Sequence, residues 1–203
     1  MSAVALAQER NTRDLILDAM DGLMARYGFR KTTVDDVARE ARVSRRTIYT
    51  YFSSKEELGL ASIERVVQGA QALMEQELAK PDTAEARLRR MLTARVMARV
   101  EAVQEYHVSL DELFEAVRPE YMSRRAYFFE RERALIMSAL EMGVEEGAFE
   151  VRNVQSIASS LLLATNAFLP YSLSVRELGT QATIRARLEA MIDLLMRGLK
   201  PAT

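Results

Sequence analysis

No cysteine occurs among the 203 residues, which excludes disulfides, thiol-based redox sensing and thiolate metal sites. Histidine occurs once, at His107, and a lone imidazole without spaced His or Cys partners does not make a zinc site. His107 is expected on a surface or a pocket wall. Four prolines and eight glycines favour long uninterrupted helices. There is no Gly-rich phosphate loop, no nucleophile elbow and no HExxH pattern, so no catalytic residue, metal or cofactor is expected, and the chain is not read as an enzyme. The first ten residues lack the charged start and apolar core of a signal peptide. The most apolar stretch, Ile157 to Leu173, is broken by Ser159, Ser160, Asn166 and Pro170. No membrane span is expected there, and a cytoplasmic protein is. Period-two alternation, internal repeats and low-complexity tracts are also missing, which leaves an all-α chain of about nine helices.

What is present is concentrated between Thr32 and Lys55, TTVDDVAREARVSRRTIYTYFSSK. Thr32 and Thr33 each stand three residues before an aspartate, and Ser53 and Ser54 each stand three before a glutamate. A hydroxyl followed at that spacing by a carboxylate satisfies free N–H groups in a helix's first turn. Ser44 supplies a third start without the acid. These starts predict a short helix over Val34–Glu40, a break at Ala41-Arg42-Val43, and a second short helix from Ser44 to about Tyr51. So tight a pair forms a helix-turn-helix, whose second helix is shaped for a DNA major groove. From Ala41 through Lys55 the charges are Arg42, Arg45, Arg46 and Lys55, with no acid. Arginine forks onto guanine O6 and N7, and hydroxyls suit phosphate oxygens. An isolated basic run is ordinarily a solvated helix face. Here caps, turn length and second-helix position coincide, and nucleic-acid binding is expected. Residues 1–55 carry 10 basic and 7 acidic side chains, a net +3, while the remainder carries 18 and 22, a net −4. A basic head on an acidic body aims one end at a polyanion.

Gly28 to Leu58, GFRKTTVDDVAREARVSRRTIYTYFSSKEEL, resembles the DNA-binding segment of the TetR/AcrR repressors. The Gly-aromatic pair, Thr-Thr, Ala-x-x-Ala, Val-Ser, Thr-x-Tyr-x-Tyr-Phe and Ser-Lys-Glu-x-Leu stand in the family's order. The family usually has glycine where this chain has Arg42. A left-handed turn costs a residue with a Cβ roughly 1 kcal/mol. Either the turn avoids that conformation, or the cost is accepted to place a cation near phosphates. Groove physics and the resemblance together imply roles. Arg45 and Arg46 probe base edges, and Thr47 meets a thymine methyl or a phosphate. Thr33, Tyr49, Tyr51 and Lys55 grip phosphates, with Arg42, Ser44 and Thr50 beside them. Residues 1–55 are thus read as the DNA-binding domain, and 56–203 as a helical effector-binding and dimerisation domain.

Outside that stretch the expectations follow the chain. Residues 1–10 read as a fraying arm. Ile16, Ala19, Met20, Leu23 and Tyr27 recur at helical spacing up to Gly28. The expected head core is Ile16, Leu23, Val34, Val37, Ala38, Val43, Ile48 and Phe52. A long helix runs from Ser54 to about Ala79. Within it Gly59 is either a pivot or a close packing contact. Helices are expected at about Thr83–Tyr106, Ser109–Val117, Glu120–Glu146, Asn153–Leu173 and Gln181–Leu199. The last two have broad apolar faces. Leu162, Thr165 and Leu169 on one, and Leu188, Met191 and Leu195 on the other, are expected to pack on symmetry mates as a four-helix dimer interface. A two-fold homodimer matches a palindromic operator, because one helix-turn-helix reads a half-site and two sit roughly 34–36 Å apart. Met91, His107, Phe114, Phe128 and Asn166 are expected to line a pocket for a small, mostly apolar effector. Thr165 and Asn166 would orient the ligand or hydrogen-bond within the interface. The expected function is a dimeric repressor released by that effector. The alternatives are an effector-independent regulator, or a helical carrier or enzyme that happens to carry a basic helix pair.

Overall fold

The computed structural model describes residues 3–104, 107–169 and 179–201, with side chains described from Thr12 onward except at 107–109. Among the described residues there are eight helices and no strand. They are α1 (Ala3–Tyr27), α2 (Val34–Glu40), α3 (Arg45–Tyr51), α4 (Lys55–Ala79), α5 (Ala84–Ala102), α6 (His107–Glu145), α7 (Val154–Asn166) and α8 (Gln181–Leu199). The fold is all-α, as the sequence implies. The expected arm at 1–10 is helical from Ala3. No helix among the described residues is long and apolar enough to cross a membrane.

Packing divides the chain into two compact units. The first holds Met1–Arg65 and Gln104–Met122, and the second holds Val66–Val103 and Ser123–Thr203.

In the first unit, α1 ends where Gly28 turns to φ +86° and its N–H bonds the Met24 carbonyl at 3.0 Å. Ile16, Met20 and Leu23 are buried, but Tyr27, read onto the same face, is 58% exposed beyond the last turn. Val37, Ala38, Ile48 and Phe52 are buried as expected, whereas Val34 and Val43 are only half-buried at the entry to each short helix. Gly59 is a packing contact. A Cβ built there would lie 2.6 Å from Leu113 Cδ1 and 2.8 Å from Phe29 Cε2, so the glycine lets these side chains close over α4.

α6 is one helix, not two. Pro119 lies inside it, and an interior proline costs about 3 kcal/mol through a lost bond and a ring clash. Val117 and Tyr121, two residues to either side, are buried, and that burial requires helical register through the proline. The C-terminus of α6 is a Schellman motif. Gly147 has φ +71°, its N–H bonds the Val144 carbonyl at 3.0 Å, and the Ala148 N–H bonds the Gly143 carbonyl at 2.8 Å.

In the second unit α5 packs against α7 and α8. Its Leu88, Leu92 and Val96 share a core with Ile136 and Leu140 of α6, Leu161 of α7 and Ile192 of α8. Set into this core is a charged cluster whose residues are all buried. Glu132 accepts from Arg95 Nε at 2.6 Å and from Arg99 Nη2, while Arg95 also donates to Thr165 Oγ1 and Asn166 Oδ1, each at 2.6 Å. Buried ions are tolerated only when paired and hydrogen-bonded in this way.

Candidate nucleic-acid interface

Three caps shape the head. Thr33 is the N-cap of α2: its hydroxyl accepts from the Asp36 N–H at 3.2 Å, and Asp36 accepts from the Thr33 N–H at 3.2 Å. The Thr33 hydroxyl and amide hold the Asp36 carboxyl below its ordinary range, so the box is charged near neutrality. Thr32, the other candidate cap, is buried and donates instead to the Gly28 carbonyl at 2.8 Å. Ser44 caps α3, accepting from the Thr47 N–H at 3.0 Å. Ser54 caps α4, accepting from the Glu57 N–H at 3.1 Å, while Glu57 reaches back to the Ser53 N–H at 2.6 Å.

The turn between α2 and α3 takes the left-handed option. Arg42 has φ +55°, and it is the only non-glycine with positive φ among the described residues. Its N–H bonds the Arg39 carbonyl at 3.3 Å, and the Val43 N–H bonds the Ala38 carbonyl at 3.0 Å. This is the pattern found at Gly147, with an exposed arginine where glycine would be unstrained.

α3 buries Ile48 and half-buries Thr47 and Tyr51, which leaves Arg45, Arg46, Tyr49 and Thr50 on the exposed face. Arg45 Nη1 donates to both oxygens of Asp35, at 3.0 and 3.2 Å, and its Nη2 donates to the Tyr49 hydroxyl at 3.3 Å. Its guanidinium lies 5.6 Å from the Tyr49 ring centroid. The Tyr49 bond and the Asp35 charge both hold the Arg45 proton more firmly. Thr50 donates back to the Arg46 carbonyl at 3.1 Å. Arg42 and Arg46 form no ion pair among the described residues and remain available cations. Phe52 is core, as expected, with Arg13 5.3 Å over its ring.

Lys55 departs from its expected role. Its ammonium donates to the carbonyls of Phe29 at 3.1 Å, Thr32 at 3.2 Å and Arg30 at 3.4 Å, and lies 4.5 Å from the Phe29 ring centroid. All three of its hydrogens are therefore engaged in holding the turn between α1 and α2.

Residues 16–61 match the profile described as "Bacterial regulatory proteins, tetR family". This helix-turn-helix segment therefore carries the tetR-family signature. The TetR-type head is 46% identical over 46 residues to the HTH-type transcriptional regulator YhgD of Bacillus subtilis, a match spanning 23% of this chain and 24% of that one. Across most of its length the chain is similar to the HTH-type transcriptional repressor NicS of Pseudomonas putida, at 24% identity over 83% of this chain and 76% of that protein. Its fold is similar to that of PfmR, a TetR family transcriptional regulator from Thermus thermophilus, with TM-score 0.63, 24% identity and coverage of 94% and 98% of the two chains. The head is therefore a DNA-binding module of a transcriptional regulator.

Met91, Phe128 and Asn166 are buried in the second unit, Phe114 belongs to the first, and the side chain of His107 lies outside the described residues, as does all of Tyr106. Phe114 instead makes an edge contact with Tyr121 at 5.5 Å. A cleft of about 570 Å³ in the second unit holds none of these side chains. Its arginines are already paired: Arg89 with Asp193 at 2.5 Å, Arg90 with Glu77 at 2.7 Å and Arg185 with Glu101 at 3.3 Å. No group of three His, Cys, Asp or Glu side chains able to hold a metal occurs among the described residues.

The stripes expected to meet a partner are also corrected. Leu162, Thr165, Leu169 and Leu188 are buried in their own subunit's core, and Met191 and Leu195 are half-buried at its edge. Both faces of α7 are apolar or small, so periodicity did not distinguish inside from outside. The large apolar residues exposed on these two helices are Leu163 at 65% and Leu194 at 69%.

Sequence reasoning also missed the Asp35–Arg45 pair and the Arg95–Glu132–Arg99 cluster. For the cluster a signal existed: Arg95 and Arg99 fall on the helical stripe of Leu88, Met91 and Leu92, where a charge demands a buried partner.

Proposed function

We propose that the chain is a homodimeric repressor that holds a palindromic operator through two copies of α3 and lets go when a small molecule binds the second unit. The observation that carries this reading is the outward face of α3. Arg45, Arg46, Tyr49 and Thr50 are exposed on a helix whose inner face and capped turn are fixed by the head. Arg45 and Arg46 address base edges. Arg42, Ser44, Thr47 and Tyr51 border the same surface and address the backbone, while Lys55 and the Thr33 cap hold its shape. Repression is supported by the likeness to NicS, which is described as a repressor.

Dimerisation is supported by Leu163 of α7 and Leu194 of α8, each widely exposed on helices whose opposite faces are buried. One head covers a half-site, so a symmetric pair is needed for a two-fold operator. The effector reading is supported by Asn166. Among the described residues its buried amide nitrogen has no acceptor, and it lies next to the Arg95 guanidinium that occupies its oxygen. An effector bearing a carbonyl or carboxylate oxygen would supply that acceptor. Release requires that the effector bind the released state more tightly than the DNA-bound one.

Titration of the purified chain against duplex DNA over a range of salt tests the reading. Two chains per duplex, with affinity falling steeply as salt rises, are expected. One chain per duplex, or affinity indifferent to salt, would overturn it.

A further inference from the structure

We propose that Asp35 is a positioning residue that aims Arg45 at a guanine in each half-site. The proposal rests on the reading that α3 enters a major groove. Among the described residues, Arg45 is paired with a carboxylate whereas its exposed neighbours Arg42 and Arg46 are not. Asp35, from the first turn of α2, takes Nη1 with both carboxylate oxygens, at 3.0 and 3.2 Å. One turn further along α3, the Tyr49 hydroxyl takes Nη2 at 3.3 Å, and the Tyr49 ring lies under the guanidinium. The anchors come from two helices whose relation is set by the Arg42 turn, so the guanidinium is oriented by the head itself.

A carboxylate exposed on a DNA-facing surface repels phosphates and lowers affinity for any duplex. Between exposed side chains the pair adds little to folding. Its effect is therefore on the arginine. An arginine side chain ordinarily loses rotamer freedom on binding, and one already held loses less. The pairing also withdraws Arg45 from indiscriminate phosphate contact. Nε–H and one hydrogen on each terminal nitrogen remain, a donor-only array. In the major groove guanine presents two adjacent acceptors, O6 and N7, whereas adenine pairs an acceptor with the N6 donor and cytosine shows a donor. A fixed donor fork selects guanine.

The test uses the full chain. Duplexes randomised over two helical turns are selected with the wild type, and the best one is re-made with each base pair at the preferred guanine. Wild type, Arg45→Ala, Asp35→Asn and Tyr49→Phe are titrated against this set and against an unselected duplex, with melting curves for each protein. Wild type should prefer guanine by about tenfold to a hundredfold, the usual range for a bidentate arginine. Arg45→Ala should abolish the preference. Asp35→Asn should lose most of it while binding the unselected duplex as tightly as wild type or more so, which a merely structural role would not produce. Tyr49→Phe leaves α2 untouched and should weaken the preference without changing the salt slope. Undiminished guanine preference in Asp35→Asn overturns the proposal, as does a parallel loss of preference and general affinity. If the selected guanine survives Arg45→Ala, the proposal fails and the groove reading stands. If wild type shows no salt-dependent affinity, the groove reading itself fails.

Discussion

Arg42 occupies the glycine position of a Schellman turn with φ +55° and is exposed. A Cβ in that conformation is strained by about 1–2 kcal/mol, of which glycine would recover part after its larger chain entropy is subtracted. Arg42→Gly should therefore stabilise the fold by about 0.5–1 kcal/mol in a denaturant titration. The same change removes a cation beside the recognition helix, so affinity for every duplex should fall and the salt slope should shrink by about one. A variant that gained no stability would place the strain elsewhere; one that bound DNA as before would remove Arg42 from the interface. At this scale the sequence was largely legible. The hydroxyl-carboxylate spacings located the caps at Thr33 and Ser54, the Ser44 hydroxyl alone marked the third, and the alternation of Ile48 and Phe52 with Arg45, Arg46, Tyr49 and Thr50 separated the two faces of α3. What spacing did not show was how polar atoms are spent. Lys55 looks like a free cation until its three carbonyl partners are found, and Asp35 looks like a first-turn acid until Arg45 is found beside it.

At the scale of elements, α5 carries two arginines along its buried stripe, and both donate to Glu132 of α6. Replacing Glu132 with glutamine keeps the volume but removes the carboxylate between two buried guanidiniums. Breaking such a pair costs about 3–5 kcal/mol, and denaturant unfolding should register that loss. Replacing Arg95, Arg99 and Glu132 together by Met, Met and Leu should instead be close to neutral, since no charge is then left buried. If the triple variant keeps its stability but no longer responds to the effector, the cluster serves the ligand; if stability collapses, it serves the fold. Helix boundaries were legible where a cap or a glycine marks them: α8 spans the expected Gln181–Leu199, and α6 ends at its Gly147 turn. Pro119 misled, because a proline predicts a break from local cost alone. The apolar residues on either side of it are placed by the unit that buries them.

For the whole molecule, the proposed dimer would meet through the outward faces of α7 and α8. An interior face and an interface are both apolar, so a hydrophobic stripe read from sequence fits either, and Leu162 and Leu188, expected at an interface, are buried in the chain's own core. Exposure separates them. Leu163 and Leu194 leave large apolar side chains in water on helices whose other faces are already buried, and a second subunit would cover them. Leu163→Glu and Leu194→Glu put a carboxylate at that contact and should convert the chain to monomers in sedimentation equilibrium, while each monomer melts close to wild type. Such monomers retain α3 but present one half-site reader, so operator affinity should drop far more than affinity for unselected DNA. Leu162→Ala and Leu188→Ala should behave in the opposite way, losing about 2–5 kcal/mol of stability as buried side chains do, with subunit association unchanged where the fold survives. Dimers that persist in both glutamate variants would move the subunit contact off α7 and α8.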